Sequence, residues 1–153
     1  MKKQIRPATA QDLDFLYTEL QQDLAEQHVL HRFQYSREEF KDLLFGKHPI
    51  AEALILLMDD TPAGFAIYGF DYRNFTVNRG LTLYLNDLYV KANFRRHGGA
   101  TALLEQLQII AKAKNCKRIE WLTQVENEIA LNLYQKFQTI NLSPILDYMR
   151  LPV

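Results

Sequence analysis

The chain has 153 residues, no formal net charge and one cysteine, Cys116. This length fits one domain that buries roughly 70% of its unfolded surface, and the balanced charge gives no support to a nucleic-acid partner. A lone cysteine excludes an internal disulfide framework and suits a reducing compartment, and we expect no signal peptide. The longest apolar run, residues 53–58, is too short to span a bilayer. The sequence therefore predicts a single domain over residues 1–153 in a cytoplasmic protein that binds no membrane.

The first third of the chain predicts a short extended start at residues 5–7 and two capped helices. Thr9 followed by Asp12 resembles a capping box, so a helix is expected from residue 10 to about residue 26. Its apolar residues keep helical spacing: Leu13, Leu16, Tyr17, Leu20 and Leu24. Residues 27–35 break this pattern and predict a loop. Ser36 and Glu39 form a second capping box, and Gly46 ends the helix that follows.

The rest of the chain alternates strands and helices. Strands are expected at residues 53–58, 63–70, 81–90, 117–123 and 145–151, and helices at 99–114 and 127–138. Residues 59–62 predict a turn and residues 72–79 a loop. The resulting order, βααβββαβαβ, contains strands joined by hairpins and strands joined through helices. It predicts an α/β fold with a mixed sheet and helices on both faces.

The most informative feature is a basic, glycine-containing loop between a strand and a helix. Residues 95–101 read Arg-Arg-His-Gly-Gly-Ala-Thr and follow the apolar strand at 81–90. A helix N-terminus offers free N–H donors and a positive dipole end, and glycine lets the backbone approach a phosphate closely. The loop therefore predicts a phosphate site, with a plain solvated helix N-terminus as the alternative.

The loop matches neither of two familiar phosphate-binding patterns. The sequence has no Gly-x-x-x-x-Gly-Lys-Ser/Thr and no Gly-x-Gly-x-x-Gly, which argues against P-loop and Rossmann sites. The loop reads Arg95-x-x-Gly98-x-Ala100. Between an apolar strand and an apolar helical stripe, this pattern resembles the acyl-CoA pyrophosphate loop of the GNAT superfamily of N-acyltransferases.

A second pattern lies farther along the chain. Asn127-x-x-Ala130-x-x-x-Tyr134 resembles a GNAT motif of the same form. The resemblance implies that Tyr134 protonates the leaving thiolate, which a phenol with a pKa of about 10 can do, and that Asn127 bonds the cofactor or backbone. From spacing alone, Tyr134 belongs to an apolar stripe typical of a core, and Asn127 is a helix N-cap.

Longer stretches resemble the diamine and polyamine N-acetyltransferase subfamily, which includes thialysine acetyltransferases. They are Leu24-Ala25-Glu26, Asp42-Leu43-Leu44-Phe45-Gly46, Ala51-Glu52, Pro62-Ala63-Gly64-Phe65-Ala66, Leu83-Tyr84-Leu85-Asn86-Asp87-Leu88-Tyr89-Val90 and Cys116-Lys117-Arg118-Ile119-Glu120-Trp121. The resemblance implies a GNAT-like, mixed, mostly antiparallel central sheet flanked by helices on both faces. It also implies a homodimer in which acetyl-CoA donates its acetyl group directly to a small primary amine in a ternary complex. The implied cofactor-binding residues are Leu88, Tyr89, Val90, Arg95, Arg96, His97, Gly98, Gly99, Ala100, Thr101, Asn127 and Lys136.

The acceptor side of the site departs from the subfamily. The backbone N–H of Leu88 is the implied oxyanion donor. The subfamily usually has Glu where Asn86 stands, and Asn cannot take a proton from an ammonium at neutral pH. We therefore expect water, rather than another side chain, to receive the proton. Asp87, which strand alternation puts on the opposite face, or a water held by Asn86 would contact the reacting amine. Glu26, Asp87 and Asp71 are the candidate carboxylates for a cationic acceptor.

Other functions stay open at this point. The chain could acetylate protein amino termini or an amine antibiotic. It could also be a non-catalytic acyl-CoA-binding module, because Asn86 occupies the position of the base. No metal is expected, since the four histidines have no metal-ligand spacing with Cys116 or with carboxylates.

Overall fold

The computed structural model describes residues 1–152, which fall into two compact units. The first unit is Met1–Trp121, and the second begins at Leu122. The first unit contains β1 (Lys3–Pro7), α1 (Leu13–Glu26), α2 (Arg37–Phe45), β2 (Glu52–Met58), β3 (Thr61–Asp71), β4 (Thr82–Val90), α3 (Gly99–Ala113) and β5 (Arg118–Glu120), and the second contains α4 (Glu128–Gln135). Within residues 1–152, every helix is too short or too polar to span a bilayer. The single-domain organisation of residues 1–153 stays a prediction.

The five strands form one mixed sheet in the order β1-β2-β3-β4-β5. The first four strands pair antiparallel with their neighbours, whereas β4 and β5 pair in parallel. The helix α3 lies between these last two strands in the chain, so it is the crossover that a parallel pair requires. The predicted mixed, mostly antiparallel α/β sheet is confirmed.

Both helices of the first third have the capping boxes that the sequence predicts. Ser36 and Glu39 exchange two bonds, with the Glu39 N–H donating to Ser36 Oγ at 3.2 Å and the Ser36 N–H donating to the Glu39 carboxylate at 2.8 Å. At the earlier box, the Thr9 N–H donates to Asp12 Oδ2 at 2.8 Å, but a 3-10 turn follows, so α1 begins at Leu13. Arg6 also donates two hydrogen bonds of 2.8 Å to Asp12, which joins β1 to the start of α1.

The sheet buries apolar side chains on both faces. On one face α1 and α2 cover a core whose members are Leu13, Leu16, Leu20, Phe40, Leu44, Ala53, Ile55, Phe65, Ile67 and Tyr89. On the other face the start of α3 packs closely, with Gly99 against the side chains of Leu56, Met58 and Val90. The chain therefore returns to the sheet directly after β4, which sets the position of the loop that opens α3.

The prediction of a final strand at residues 145–151 is wrong. These residues are irregular, and apolar side chains such as Ile145 and Leu151 are exposed. An alternating apolar pattern becomes a strand only where its backbone groups find a partner, and the sheet of residues 1–152 ends at β5. Two other elements are shorter than predicted, β5 at Arg118–Glu120 and α4 at Glu128–Gln135.

We expect Gly64→Ala to destabilise the fold. A Cβ at this position in β3 would lie 2.5 Å from the Tyr89 carbonyl oxygen in β4, so the two strands would have to separate locally. Overpacking of this kind costs roughly 1–3 kcal/mol. Gly69→Ala in the same strand is the control, because its nearest new contact, with the Ile50 carbonyl oxygen, is 3.1 Å. Urea unfolding measures both variants, and equal losses of stability would contradict the prediction.

Candidate functional site

The second half of β4 has a strand partner on one side only. Only the first residues of β4, Thr82 to Tyr84, pair with β5. Beyond Tyr84, within residues 1–152, β4 pairs with β3 alone as far as Val90. Backbone groups along such an edge can bond an extended ligand as an added strand would. Leu88, the predicted oxyanion donor, lies in this segment.

A β-bulge in β4 decides which of its side chains face α1. Asp87 pairs with Ile67 and Leu85 pairs with Tyr68, so Asn86 is an extra residue without a partner in β3. Directly paired residues share a face of the sheet, which puts Asp87 on the α1 side with Ile67 and Leu85 on the other side. Simple alternation would put Leu85 and Asp87 on one face. The bulge separates them and leaves Asn86 exposed.

Ion pairs hold α1 against the end of β4 and the residues that follow it. Glu19 pairs with Lys91 at 3.1 Å. About two turns later, Glu26 accepts hydrogen bonds from the Tyr89 hydroxyl at 2.9 Å and from Arg95 Nη2 at 2.6 Å. Burial opposes ionisation of Glu26, but the hydrogen bonds from Arg95 and Tyr89 lower its pKa below the usual value.

Between these two ion pairs lie two carboxylates without a cation. Asp23, on α1, is 7% exposed, and its Oδ1 accepts a hydrogen bond from Gln27 Nε2 at 2.8 Å. Asp87 is half-buried and accepts no hydrogen bond from the described residues. Burial raises the pKa of Asp87 to about 7, and the charge of Asp23 adds to that shift. Burial likewise raises the pKa of Asp23 to about 6, against the hydrogen bond from Gln27.

The other candidate carboxylate for the acceptor, Asp71, already has a cation. Arg73 forms an ion pair with it at 2.7 Å and also lies over the Tyr84 ring, 4.0 Å from its centroid. Burial favours the neutral acid, yet the hydrogen bonds from Arg73 lower the pKa of Asp71 below its usual value. Of the three predicted acceptor carboxylates, only Asp87 has no arginine of its own. No group of three metal-ligating side chains occurs within residues 1–152.

The predicted phosphate loop has the backbone form of an anion cradle. Arg96 and Gly98 take left-handed conformations, with φ of 68° and 75°. Gly98 is the N-cap of α3, and no side chain caps the first N–H groups of that helix. The ammonium of Lys3 donates to the His97 carbonyl at 3.1 Å, which adds a positive charge beside the loop. These features fit a phosphate group.

The Arg95 side chain does not point into this loop. Its Nε donates to the Val90 carbonyl at 2.8 Å, its Nη2 donates to Glu26, and its guanidinium lies over the Tyr89 ring. Arg95 therefore connects the predicted cofactor loop to a predicted acceptor carboxylate. The roles of both residues in binding stay predictions.

In the second unit, the helix that carries the second motif forms close to where the sequence predicts it. Asn127 Oδ1 accepts a hydrogen bond from the Ala130 N–H at 3.1 Å, so Asn127 is the N-cap of α4. Tyr134 is half-buried, and the predicted cofactor contact Lys136 is exposed at the end of the helix. Their roles toward cofactor and thiolate stay predictions.

Two residues of the site were missed by the sequence analysis. Lys3 lies in β1 and reaches the loop only because the sheet and α3 bring them together. Asp23 could have been found from the sequence. It follows Leu16 and Leu20 at helical spacing, so it is a charged residue at a position where the helix faces the core. Burying an aspartate costs stability unless it is paired and hydrogen-bonded, so an aspartate on a core-facing position is a candidate for function.

Comparison with known proteins identifies the family. Residues 13–138 match the family described as "Acetyltransferase (GNAT) family". The chain belongs to the GNAT acetyltransferase family. The acetyltransferase fold is shared with a solved structure described as a probable acetyltransferase, with a TM-score of 0.80, 24% identity, and coverage of 98% of this chain and 97% of that one.

Two curated relatives are also similar to this chain in sequence. Thialysine N-epsilon-acetyltransferase of Caenorhabditis elegans is 32% identical over 89 residues, which are 58% of this chain and 54% of the relative. Spermidine/spermine N(1)-acetyltransferase-like protein 1 of Homo sapiens is 27% identical over 147 residues, which are 92% of this chain and 21% of the relative. The chain thus spans about half the length of the first relative and about a fifth of the second.

Gly98→Val should weaken acetyl-CoA binding. The added side chain would crowd the cradle at a left-handed position, and lost charge-assisted hydrogen bonds to a phosphate cost on the order of 2 kcal/mol. Gly80→Val is the control, because Gly80 is also left-handed, with φ of 93°, but precedes β4 rather than α3. Titration calorimetry with acetyl-CoA compares the two folded variants. Unchanged affinity in Gly98→Val would contradict the assignment of the loop.

Proposed function

We propose that this chain transfers the acetyl group of acetyl-CoA to a small primary amine, a diamine or polyamine, in a ternary complex. Membership of the acetyltransferase family supports the transfer reaction. The observation that carries the acceptor class is Asp87, a half-buried carboxylate without a hydrogen bond or ion pair among the described residues. Such a group is stabilised by a ligand that brings a positive charge.

The relatives support an acceptor with more than one amine. One is named for thialysine and the other for spermidine and spermine. In the proposed complex, the reacting amine lies at Asp87. Glu26 attracts the second ammonium, because its carboxylate stays ionised beside Arg95 and keeps part of its surface exposed. Asp71 is the weaker candidate for this second role, because it pairs with Thr82 at the start of β4, whereas Glu26 bonds the Tyr89 hydroxyl two residues after Asp87.

The reaction needs a proton acceptor and a proton donor. The ammonium of the acceptor loses one proton to Asp87, or to a water next to Asn86, and becomes a nucleophile. Its nitrogen bonds the acetyl carbon while the carbon–sulfur bond breaks, with the Leu88 N–H as donor to the carbonyl oxygen. The leaving thiolate takes a proton from Tyr134, by resemblance to the family.

An amine panel tests the proposed function. We expect 1,4-diaminobutane to exceed butylamine by about tenfold or more in kcat/KM, because a second ammonium gains on the order of 1–3 kcal/mol from a partly buried carboxylate. Release of CoA is measured with a thiol reagent. Burial raises the pKa of Cys116 and the thiolate is the reactive form, so we expect this cysteine to add little background.

Each outcome of the panel has a definite meaning. Equal rates for the two amines would contradict the diamine assignment. Transfer only to a peptide amino terminus or to an aminoglycoside would identify those acceptors instead. Binding of acetyl-CoA without release of CoA by any amine would make the chain a non-catalytic acyl-CoA-binding module.

Tyr134→Phe tests the proton donor. The replacement keeps the ring and removes the proton, so we expect kcat to fall by roughly 10²-fold while the KM for acetyl-CoA changes little. Tyr148→Phe is the control, because Tyr148 belongs to the same unit and is exposed. Steady-state kinetics compares the variants, and a kcat equal to that of wild type would return Tyr134 to a packing role.

We also propose that the protein works as a cytoplasmic homodimer. The single cysteine suits a reducing compartment, and the resemblance to polyamine acetyltransferases favours the dimer.

A further inference from the structure

The inner face of α1 presents three acids, and only two of them have a cation. Glu19 pairs with Lys91, and Glu26 pairs with Arg95. Asp23 lies between them on the same stripe of the helix, at positions i+4 and i−3. It is more deeply buried than either, and the Gln27 amide is its hydrogen-bond partner.

The same contacts bring Asp23 and Asp87 to one interface, that between α1 and the end of β4. The Tyr89 hydroxyl donates to Glu26, so Tyr89 and Asp87, two residues apart on one face of β4, both lie next to this turn of α1. Asp87 is the cross-strand neighbour of Ile67 in β3, and the charge of Asp23 on α1 acts on its carboxylate. The two carboxylates thus lie within electrostatic reach of each other in a partly desolvated place, and neither has an ion pair within residues 1–152.

We propose that Asp23 and Asp87 together form the subsite that binds the ammonium of the acceptor and takes its proton, with Asp23 as the positioning residue that acts through Asp87. This inference rests on the proposed function and names the proton acceptor of that reaction. A cation between two carboxylates relieves their repulsion and replaces the solvation that each loses on burial. An ammonium does so with donors for both groups.

The charged neighbours of the pair favour this role. Asp87 faces the charge of Asp23 from α1, and the Tyr89 hydroxyl on its own strand is already bonded to Glu26. Asp23 faces Glu26 on its own helix and Arg95 from the loop after β4, and these two have opposite effects on its proton affinity. The charge of Asp23 therefore makes Asp87 a stronger base, suited to a reaction near pH 7.

The proton balance is simple. The dianionic pair takes one proton from the bound ammonium and becomes a monoanion, which leaves a neutral amine to attack the thioester. The second proton of the attacking nitrogen ends on the sulfur of CoA, and the resemblance to the family implies Tyr134 as the donor of that proton. After the amide leaves, the pair returns its proton to solvent. The base thus lies one residue after Asn86, at the position that the bulge turns toward α1.

The test is the pH dependence of kcat/KM for 1,4-diaminobutane. For wild type we expect kcat/KM to rise with pH and to level off near pH 7, where the carboxylate pair has lost its last proton. Asp23→Asn should move this bend to lower pH by about one unit, because it removes the like charge, and should raise the KM for the diamine about tenfold. Asp87→Asn should abolish the bend, so that the rate climbs toward the pKa of the amine itself.

Asp14→Asn is the control, because it removes one negative charge from an exposed position of the same helix. Its profile should coincide with that of wild type. An Asp23→Asn profile that coincides with the Asp14→Asn profile would overturn the role of Asp23. If kcat/KM of wild type instead rises steadily up to the pKa of the free amine, the proton acceptor is a water beside Asn86 and not the carboxylate pair.

A second measurement needs no catalysis. Carboxyls whose pKa is raised in the folded state stabilise it at low pH and lose that contribution as pH rises through about 6 to 7. Urea unfolding should therefore show that Asp87→Asn gains stability relative to wild type between pH 5 and pH 8. Added 1,4-diaminobutane should raise the Tm of wild type at pH 8, but not that of Asp23→Asn/Asp87→Asn.

The two proposals can fail separately. If no amine releases CoA, the proposed function fails, while the unfolding and Tm measurements still decide whether the pair binds an ammonium. If CoA is released but the stability difference between wild type and Asp87→Asn is the same at pH 5 and pH 8, the carboxylate pair is wrong and the acetyltransferase proposal stands.

Discussion

The contact between α1 and the end of β4 organises the candidate site. It depends on the bulge at Asn86, which turns Asp87 and Tyr89 toward the helix while Leu85 stays on the opposite face. The ion pairs of Glu19 and Glu26 then hold the helix in place on either side of Asp23. Without the extra residue, Asp87 would lie on the α3 side with Leu85, and α1 would have no acidic partner in the strand.

The pair of Asp23 and Asp87 lowers the stability of the fold at neutral pH. Two carboxylates with raised pKa values oppose each other at neutral pH, and an apolar pair of similar size would pack there without that penalty. Proteins keep such local conflicts mainly where function requires them. The neighbouring acids Glu19 and Glu26 each have a cation of their own on the same helix face, whereas Asp23 between them has none.

The cofactor side follows from a different constraint. Gly99 packs against Leu56, Met58 and Val90, so the start of α3 lies against the sheet, and no side chain caps its first N–H groups. The left-handed Arg96 and Gly98 make the turn that leads into this helix. Arg95 bonds the end of β4 and Glu26 rather than extending into the loop, and Lys3 contributes the charge beside the His97 carbonyl.

Short sequence patterns were sufficient to predict most of the helices and strands and the protein family. Capping boxes at Thr9 and Ser36, the glycine at the end of α2 and the strand–loop–helix pattern before α3 act within a few residues, so they can be recognised without a partner. The motif residues of the loop and of α4 could be recognised in the same way. The alternating segment at 145–151 could not, because a strand depends on a neighbour that may lie anywhere in the chain.

Only the tertiary structure decided which charges meet. Glu26, Asp71 and Asp87 are equivalent acids in the sequence, yet two have an arginine and one does not. The bulge that selects Asp87 is a property of the pairing between β3 and β4, and Asp23 matters only because α1 lies across that strand. Solvation and the distance between charges set the proton affinity of a carboxylate, and both are consequences of long-range packing that no local pattern records.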